Sequence, residues 1–320
     1  MNGISLIIPT YKRTTDFERT LKSVYKQIGD IDEVITIIGP DDSESFNLAM
    51  EYKDKIDNFK VLQNKKASLV NALNAGLAAS TQDIICLTDD DIELPEGWAM
   101  RIKAAFKKDP KMGAYGGPDK LITEKLEKHL AYSPVKEVGV FHWNGMVGNH
   151  HFGVIDSPAI VDVLKGVNFS FRREAVKELS IDQFLEFKGA EQCSEIDLAQ
   201  KIQANGYKII YDNENFLFHY IGKRQPYDVR KDVFSELNYY NTLNINYVYA
   251  KFRPLYEIFF IVINQFFIGS KVRPGVIRSI LMIKHNGIKV LLLPINSLKP
   301  ISKGIYNGFK MRIRLKNNFI

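Results

Sequence analysis

Three consecutive carboxylates, Asp89, Asp90 and Asp91, follow the apolar run Ile84-Ile85-Cys86-Leu87. The run has the length and composition of a buried strand. Three acids at its end cannot all be stabilised by burial, so they need water, partners or a cation. Aspartates held close by a rigid strand end suit a hard divalent ion carrying phosphate oxygens. The chemistry this implies is on a phosphorylated, nucleotide-bearing substrate.

The elements that must position these acids alternate. Ile4–Ile8 reads as a short apolar strand ended by Pro9, and Val34–Ile38 as a second, stopped by Gly39-Pro40. Phe59–Leu62 is a third strand and Ile84–Leu87 a fourth. Between them lie helical patterns. Asp16–Ile28 carries Phe17, Leu21, Val24, Tyr25 and Ile28 on one face, with Thr15 or Asp16 as its cap. Ser68–Ala79 turns Leu69, Leu73 and Leu77 inward, and Pro95-Glu96 opens a helix through Phe106. Repeated β–α order predicts an α/β fold with a doubly wound, mostly parallel sheet. Ligands of such sheets sit beyond the carboxyl ends of the strands, here Pro9–Arg13, Pro40–Ser43 and Thr88–Asp91.

Further on, Ile160–Leu164, Val167–Phe171, Tyr207–Tyr211 and Phe216–Tyr220 read as strands. Glu174–Leu179 and Ser194–Gln203 read as helices, the second ended by Asn205-Gly206. Gly139–Gly153 has no clear period and reads as an ordered loop. It contains Trp143, either a stacking platform for a sugar or a core anchor. His150 and His151 are adjacent, so they point apart on an extended chain and make no metal pair. Trp98 reads as core.

The 320 residues allow a large domain plus an appendage, and 45% hydrophobic content allows a sizeable core. Two cysteines, Cys86 and Cys193, make no disulfide framework and fit a reducing compartment. The start, Met1-Asn2-Gly3-Ile4, lacks the charged and apolar regions of a signal peptide. The net charge of +6 is unevenly placed: residues 251–320 hold 13 Lys/Arg and one acid, Glu257, while the rest is net −6. Leu255–Ile268 is apolar and aromatic but, at 14 residues, shorter than the roughly 20 a membrane-spanning helix needs. Val276–Ile295 is interrupted by Arg278, Lys284, His285 and Lys289, and Lys310–Lys316 alternates basic with apolar residues. Such segments read as helices lying on an anionic membrane surface. The expected division is residues 1–245 as the α/β domain and 246–320 as a C-terminal amphipathic helical extension.

At this point several segments converge. Ser5-Leu6-Ile7-Ile8-Pro9-Thr10-Tyr11-Lys12-Arg13, Ala72-Leu73-Asn74-Ala75-Gly76-Leu77 and Leu87-Thr88-Asp89-Asp90-Asp91 resemble the family 2 glycosyltransferases of GT-A fold. The likeness continues in Leu164–Arg173, Glu195-Ile196-Asp197-Leu198, Gly206-Tyr207 and Phe218-His219-Tyr220, in family order over roughly residues 3–224. It implies an inverting, metal-dependent enzyme of the bacterial and archaeal cell-surface glycan type. Such an enzyme moves a sugar from a nucleotide-diphosphate sugar to a hydroxyl of a glycan or lipid-linked acceptor.

The resemblance also assigns roles. Pro9, Thr10, Tyr11 and Arg13 fall in the donor-binding loop, where Lys12 and Arg13 either meet phosphates or stay solvated. Asp41 falls where the family contacts the nucleobase, although Pro40 and Asp42 depart from the family's two acids followed by Gly-Ser. Asn74 and Asn168 fall at donor-facing positions. Asp89 and Asp91 match an Asp-x-Asp pattern, with Asp91 ligating Mn or Mg. Asp89 or Asp90 holds the ribose or completes the metal shell, and Asp90 is the candidate for a solvent-facing spare. His219 is a further metal ligand, a diphosphate contact or a structural residue. Glu195 takes the place of the catalytic base, Glu191 is a weaker candidate, and Asp197 is a structural partner.

The two cysteines and the basic, apolar C-terminal segments place the protein in the cytoplasm, peripheral to the inner face of the cell membrane, and the apolar runs before the tail favour lipid, with no nucleic acid partner. Two other readings compete. A nucleotidyltransferase making the sugar nucleotide generally has a Gly-rich loop after its first strand, and Pro9–Arg13 has no glycine. A non-catalytic module would use the basic tail to bind nucleic acid or another anionic surface, and a degenerate transferase would only bind glycan.

Overall fold

A computed structural model describes residues 3–122, 133–150, 153–187, 191–220 and 233–317. They form two compact units. The first holds most of residues 3–220, and the second holds 141–146, 191–193 and 233–317. The boundary expected at residue 245 falls inside a helix of the second unit, Glu236–Phe252.

The first unit is built on an α/β alternation. Strands β1 (Ile4–Thr10), β2 (Glu33–Ile38), β3 (Phe59–Gln63) and β4 (Ile84–Leu87) are joined by helices α1 (Thr14–Tyr25), α2 (Ser43–Lys53) and α3 (Leu69–Ala79). Then come β5 (Ile92–Glu93), α4 (Trp98–Lys108), β6 (Met112–Gly116) and β7 (Asp119–Ile122). The eight-stranded sheet runs Ala159–Val161, Lys208–Tyr211, β6, Phe169–Arg172, β4, β1, β2, β3. β1 pairs in parallel with β2 and β4, and β2 with β3. Phe169–Arg172 runs antiparallel to β4 and β6, so the sheet is mostly parallel, as expected. Full burial of Ile4, Leu6, Ile8, Ile84, Phe17, Leu21 and Trp98 makes one core between sheet and helices.

Some local expectations are corrected. α1 starts at Thr14, with no side-chain cap; the Arg13 carbonyl accepts from Phe17 N instead. Gly166–Asn168 is a 3-10 turn before the strand, not its first residues. Only a single 3-10 turn, Arg173–Ala175, stands where a helix over 174–179 was expected.

A small three-stranded sheet matters most for the site. Leu217–Tyr220 lies between β5 and β7, with His219 opposite Ile92 on one side and Leu121 on the other. This sheet carries the end of the acidic triplet to a histidine far along the chain. One face of α1 clamps the same segment. Thr20 Oγ1 donates to the carbonyls of Asp90 and Ile92 and accepts from Ile92 N, at 2.8, 2.8 and 3.0 Å. Ser23 accepts from Leu94 N at 3.0 Å, and Gln27 accepts from Ala99 N at 3.2 Å. Thr20 and Ser23 share one face of α1, and Gln27 follows in the turn beyond its end.

The second unit is helical: α6 (Glu236–Phe252), α7 (Leu255–Phe267), α8 (Val276–Asn286) and α9 (Leu293–Asn317); α5 (Ser194–Ala204) belongs to the first unit. Within 276–295, α8 ends before Gly287, whose φ of 74° is open to glycine at little cost. α6 and α9 approach closely because Gly304 and Gly308, one turn apart, leave room for the carbonyls of Leu243 and Tyr247. Trp143 packs edge-on against Phe260, ring centres 5.8 Å apart, yet stays 59% exposed. Among the described residues no helix is long and apolar enough to cross a membrane.

Candidate active site

β4 ends at Leu87, and the chain enters the triplet at the carboxyl edge of the sheet. The three acids have different surroundings. Asp90 is buried, accepting from Thr10 Oγ1 at 2.7 Å and Arg13 Nη1 at 2.9 Å. It is no solvent-facing spare: it ties the triplet to the β1 loop. Burial pushes its carboxyl up to about 7, against the pull of Arg13. Asp91 accepts from Arg13 Nη2 at 2.5 Å and stands 3.3 Å from His219 Nε2. Burial would raise its carboxyl, but His219 and Arg13 outweigh that and hold it below the usual range. Asp89 is half-buried and shifts upward through burial and the charge of Asp91.

Asp89, Asp91 and His219 each present one ligand atom, all within 4.8 Å of one another. Asp91 Oδ1 is buried without a hydrogen-bond donor. Two hard carboxylate oxygens and an imidazole nitrogen suit Mn²⁺ or Mg²⁺. The residues therefore fit a divalent ion.

A residue that sequence reasoning missed completes this cluster. Asp119, fully buried at the start of β7, accepts from His219 Nδ1 at 2.8 Å and from Lys165 Nζ at 2.5 Å. Its grip on Nδ1 leaves Nε2 facing Asp91. Metal-binding histidines commonly carry such a carboxylate behind the ring. Burial lowers the His219 pKa, but the hydrogen bond to Asp119 and the nearby Asp91 carboxylate prevail and raise it to about 9.

The β1 loop lies at the same edge of the sheet. Lys12 and Asp41 have left-handed φ of 54° and 53°, and Asp42 locks the turn by accepting from Lys12 N at 2.5 Å and Ser45 N at 3.2 Å. Tyr11 lies against Gly39, where any side chain would collide with its ring. Pro9 sits within β1 opposite Ile37. A cleft of about 710 Å³ opens here, lined by Lys12, Arg13, Asp16, Arg19 and the exposed Asp41 among others. Thr10, Arg13, Asp41, Asp89, Asp90 and Asp91 thus share one edge of the sheet.

Glu195 stands at the start of α5, half-buried, with Ser194 Oγ donating to it at 3.3 Å. A methyl group at Gly166 would come 3.9 Å from its Cβ. Burial raises its carboxyl and the charge of Asp89 adds to the shift, while Lys165 opposes it. Asp197, fully buried, is structural as expected: it accepts from Asp182 N at 3.2 Å and pairs with Lys201 at 2.9 Å. Cys193, just before α5, has a φ of 81°, a strained value for a residue with a side chain.

Two sequence assignments are corrected. Asn168 does not face the donor. Its side chain is fully buried, donating to Asn215 and Gly117 carbonyls at 2.6 and 3.3 Å and accepting from Trp98 Nε1 at 3.3 Å. Asn74 spends both ends of its amide on the backbone of Ile181, at 2.9 and 2.7 Å. His150 is buried against the Val163 carbonyl at 3.0 Å and takes no part in the cluster, whereas His151 lies outside the described residues.

The chain matches the family described as glycosyl transferase family 2 over residues 5–180. It belongs to that family. A probable glycosyltransferase of Bacillus subtilis, YdaM, is 25% identical over 183 residues, covering 55% of this chain and 42% of YdaM. The poly-beta-1,6-N-acetyl-D-glucosamine synthase of Staphylococcus aureus is 22% identical over 213 residues, 66% of this chain and 48% of the synthase. The chain thus spans less than half the length of these curated relatives. Among solved structures, GalNAc-T7 with UDP, GalNAc and Mn²⁺ superposes at a TM-score of 0.58, with 16% identity, over 82% of this chain and 50% of that one. A mannosyltransferase of Pyrobaculum calidifontis, PcManGT, with GDP-Man and Mn²⁺, superposes at 0.53, with 16% identity, over 98% and 84%. These likenesses establish the GT-A fold of the α/β unit.

Proposed function

We propose that this protein is a metal-dependent glycosyltransferase acting on a nucleotide-diphosphate sugar. The observation that carries the reading is the convergence of Asp89, Asp91 and His219 at the carboxyl edge of the sheet, tied to the cleft through Arg13, which lines it and donates to Asp91. Asp89, Asp91 and His219 would hold Mn²⁺ or Mg²⁺, which when bound neutralises charge on the departing diphosphate. Arg13 and Lys12 offer positive charge to the same donor, and Asp41 stands in the cleft for the base.

Glu195 acts as the general base. Its carboxylate accepts the proton of an acceptor hydroxyl while that oxygen attacks the anomeric carbon. The bond to the donor phosphate breaks on the opposite face, and its electron pair leaves with the nucleoside diphosphate. One displacement inverts the configuration. The acceptor in this reading is a glycan or lipid-linked sugar of a cell-surface polysaccharide.

The second unit supports a place at the cytoplasmic face of a membrane. Leu281 and Ile288 are 73% and 74% exposed, and Leu255, Phe259, Ile277 and Leu292 are also exposed. A monomer rarely exposes so much apolar side chain unless it meets a partner or a lipid surface. The basic excess of residues 251–320 complements an anionic leaflet.

Incubation with a panel of nucleotide sugars, with and without Mn²⁺ or Mg²⁺, tests the reading. Metal-dependent release of nucleoside diphosphate from one of them is expected. No turnover of any nucleotide sugar with either metal would overturn it.

A further inference from the structure

The second unit contains its own cavity, of about 730 Å³. It lies among the first half of α6, the inner face of α7, the 269–274 turn and the start of α9. That volume is in the range of small-molecule sites, about 300–1,000 Å³. Its wall is mixed: the rings of Tyr239 and Tyr240, the amides of Asn264 and Asn296, and two charges, Arg273 and Glu236.

Three features bear on what would fill it. Arg273 has no carboxylate within ion-pair distance among the described residues; its Nη1 reaches only the Asn241 carbonyl, at 3.5 Å. A guanidinium fork of this kind matches a phosphate bidentately. Pro300 stands inside α9, four residues after Asn296, and both line the cavity. Proline has no N–H, so the Asn296 carbonyl lacks its usual helical donor and can accept from a hydroxyl. Aromatic faces with amide, carboxylate and carbonyl groups are the partners a polyol ring needs. The wall itself is two-sided. Ile261, Asn264 and Gln265 of α7 line the cavity, while Tyr256, Phe259, Ile263 and Phe267 are exposed. Helical geometry at 100° per residue puts these sets on opposite faces. A chamber of mixed polar and apolar lining therefore backs directly onto an apolar outer surface.

We propose that this cavity binds the headgroup of a membrane amphiphile in which a phosphate adjoins a sugar or polyol ring, its tail lying along the outer face of α7. Arg273 takes the phosphate, and Asn264, Asn296 and Glu236 take the hydroxyls. The proposal rests on the membrane-surface reading above and narrows it: the acceptor, or its lipid carrier, is recognised by its phosphorylated head as well as by its charge.

The test uses the full chain and phosphatidylcholine vesicles containing equal fractions of phosphatidylinositol or phosphatidylserine, which carry the same net charge. Flotation is expected to show preference for phosphatidylinositol. Losing one charge-assisted contact in Arg273→Gln should remove about tenfold of affinity for those vesicles. Binding to phosphatidylserine should change little. Soluble inositol 1-phosphate should abolish the preference without releasing protein from phosphatidylserine. Phe259→Asp should weaken binding to both vesicles. Equal binding to the two lipids, or a preference that survives Arg273→Gln, would overturn the proposal. Metal-dependent donor hydrolysis, measured in parallel, is expected unchanged in Arg273→Gln and reports a folded protein. Its absence from the unmutated chain would sink the transferase reading while leaving lipid selectivity to be scored on its own.

Discussion

His219 Nε2 faces Asp91 Oδ1 at 3.3 Å while its Nδ1 is held by Asp119 at 2.8 Å, so one ring joins a carboxylate just before β5 to one in β7. The ring's orientation is fixed from behind, and Lys165 fixes Asp119 in turn. A supporting carboxylate of this kind typically accounts for about 10–100-fold in metal affinity. Asp119→Asn should therefore weaken Mn²⁺ binding by about that factor. Calorimetric titration of the purified protein with Mn²⁺ measures it. Asp91→Ala, which removes a ligand outright, should abolish the metal-dependent part of nucleotide binding. An unchanged Mn²⁺ isotherm in Asp119→Asn would show that His219 is not a ligand.

Thr20 is predicted to hold the triplet in place without touching any ligand. Its hydroxyl makes three buried hydrogen bonds to the backbone of Asp90 and Ile92. Thr20→Val keeps the shape and strands those groups. Leaving buried polar groups unpaired costs about 1–3 kcal/mol. Urea denaturation should show a lowered midpoint with an unchanged slope. Metal affinity should fall as well, because the loop that presents Asp91 loses its brace.

The parts of the molecule legible in sequence were those set by local pattern. Ile84–Leu87 is a strand with the bounds its apolar run suggests, and Asp89 and Asp91 stand with His219 in one group of potential ligand atoms. Asp119 was illegible because its importance depends on His219, one hundred residues on, being brought beside it by strand pairing. Asn168 and Asn74 erred for the converse reason. A polar residue next to a glycine or on a helix says nothing about which backbone groups tertiary packing will leave for it. Here Asn215, Gly117 and Ile181 claim both amides. Asn168→Leu is accordingly expected to destabilise the fold, measured by thermal unfolding, while nucleotide affinity at temperatures below the transition stays near normal.

Glu33 gives the first unit a pH-dependent component of stability. It is buried at the start of β2 and accepts from Ser5 Oγ, Lys60 Nζ and Thr81 N at 2.5, 2.5 and 2.9 Å. Burial alone would raise its carboxyl, but Lys60, Ser5 and Thr81 together hold it below the ordinary glutamate value. A depressed native pKa means the unfolded chain binds the proton more readily. The contribution is present in full above the unfolded value and is lost as pH falls through the native one. Glu33→Gln should lower stability at pH 7 by about 1–3 kcal/mol, from the charged hydrogen bonds it removes. The difference between mutant and parent should shrink as pH drops below about 4, near the unfolded glutamate value. Urea midpoints across pH 3–7 give the comparison.

Glu195 carries the sharpest kinetic expectation. A base must be ionised to accept the acceptor's proton, and Glu195 sits where burial and Asp89 both favour its neutral form. Its pKa is raised, so the acid limb of the rate profile should lie above the range of an exposed glutamate. Turnover falls as pH drops through that limb and reaches a plateau above it. Glu195→Gln removes the proton acceptor and should reduce kcat by about 10²–10⁴-fold, the usual contribution of general-base catalysis. The residual rate should lose the acid limb. Nucleotide affinity with metal present should be spared, since Glu195 stands apart from the donor's phosphate ligands in this reading. Steady-state rates of sugar transfer from pH 4 to 9, with nucleotide binding measured separately, decide it. A variant that keeps near-parental turnover, or one whose acid limb persists unchanged, would transfer the role of base to another residue.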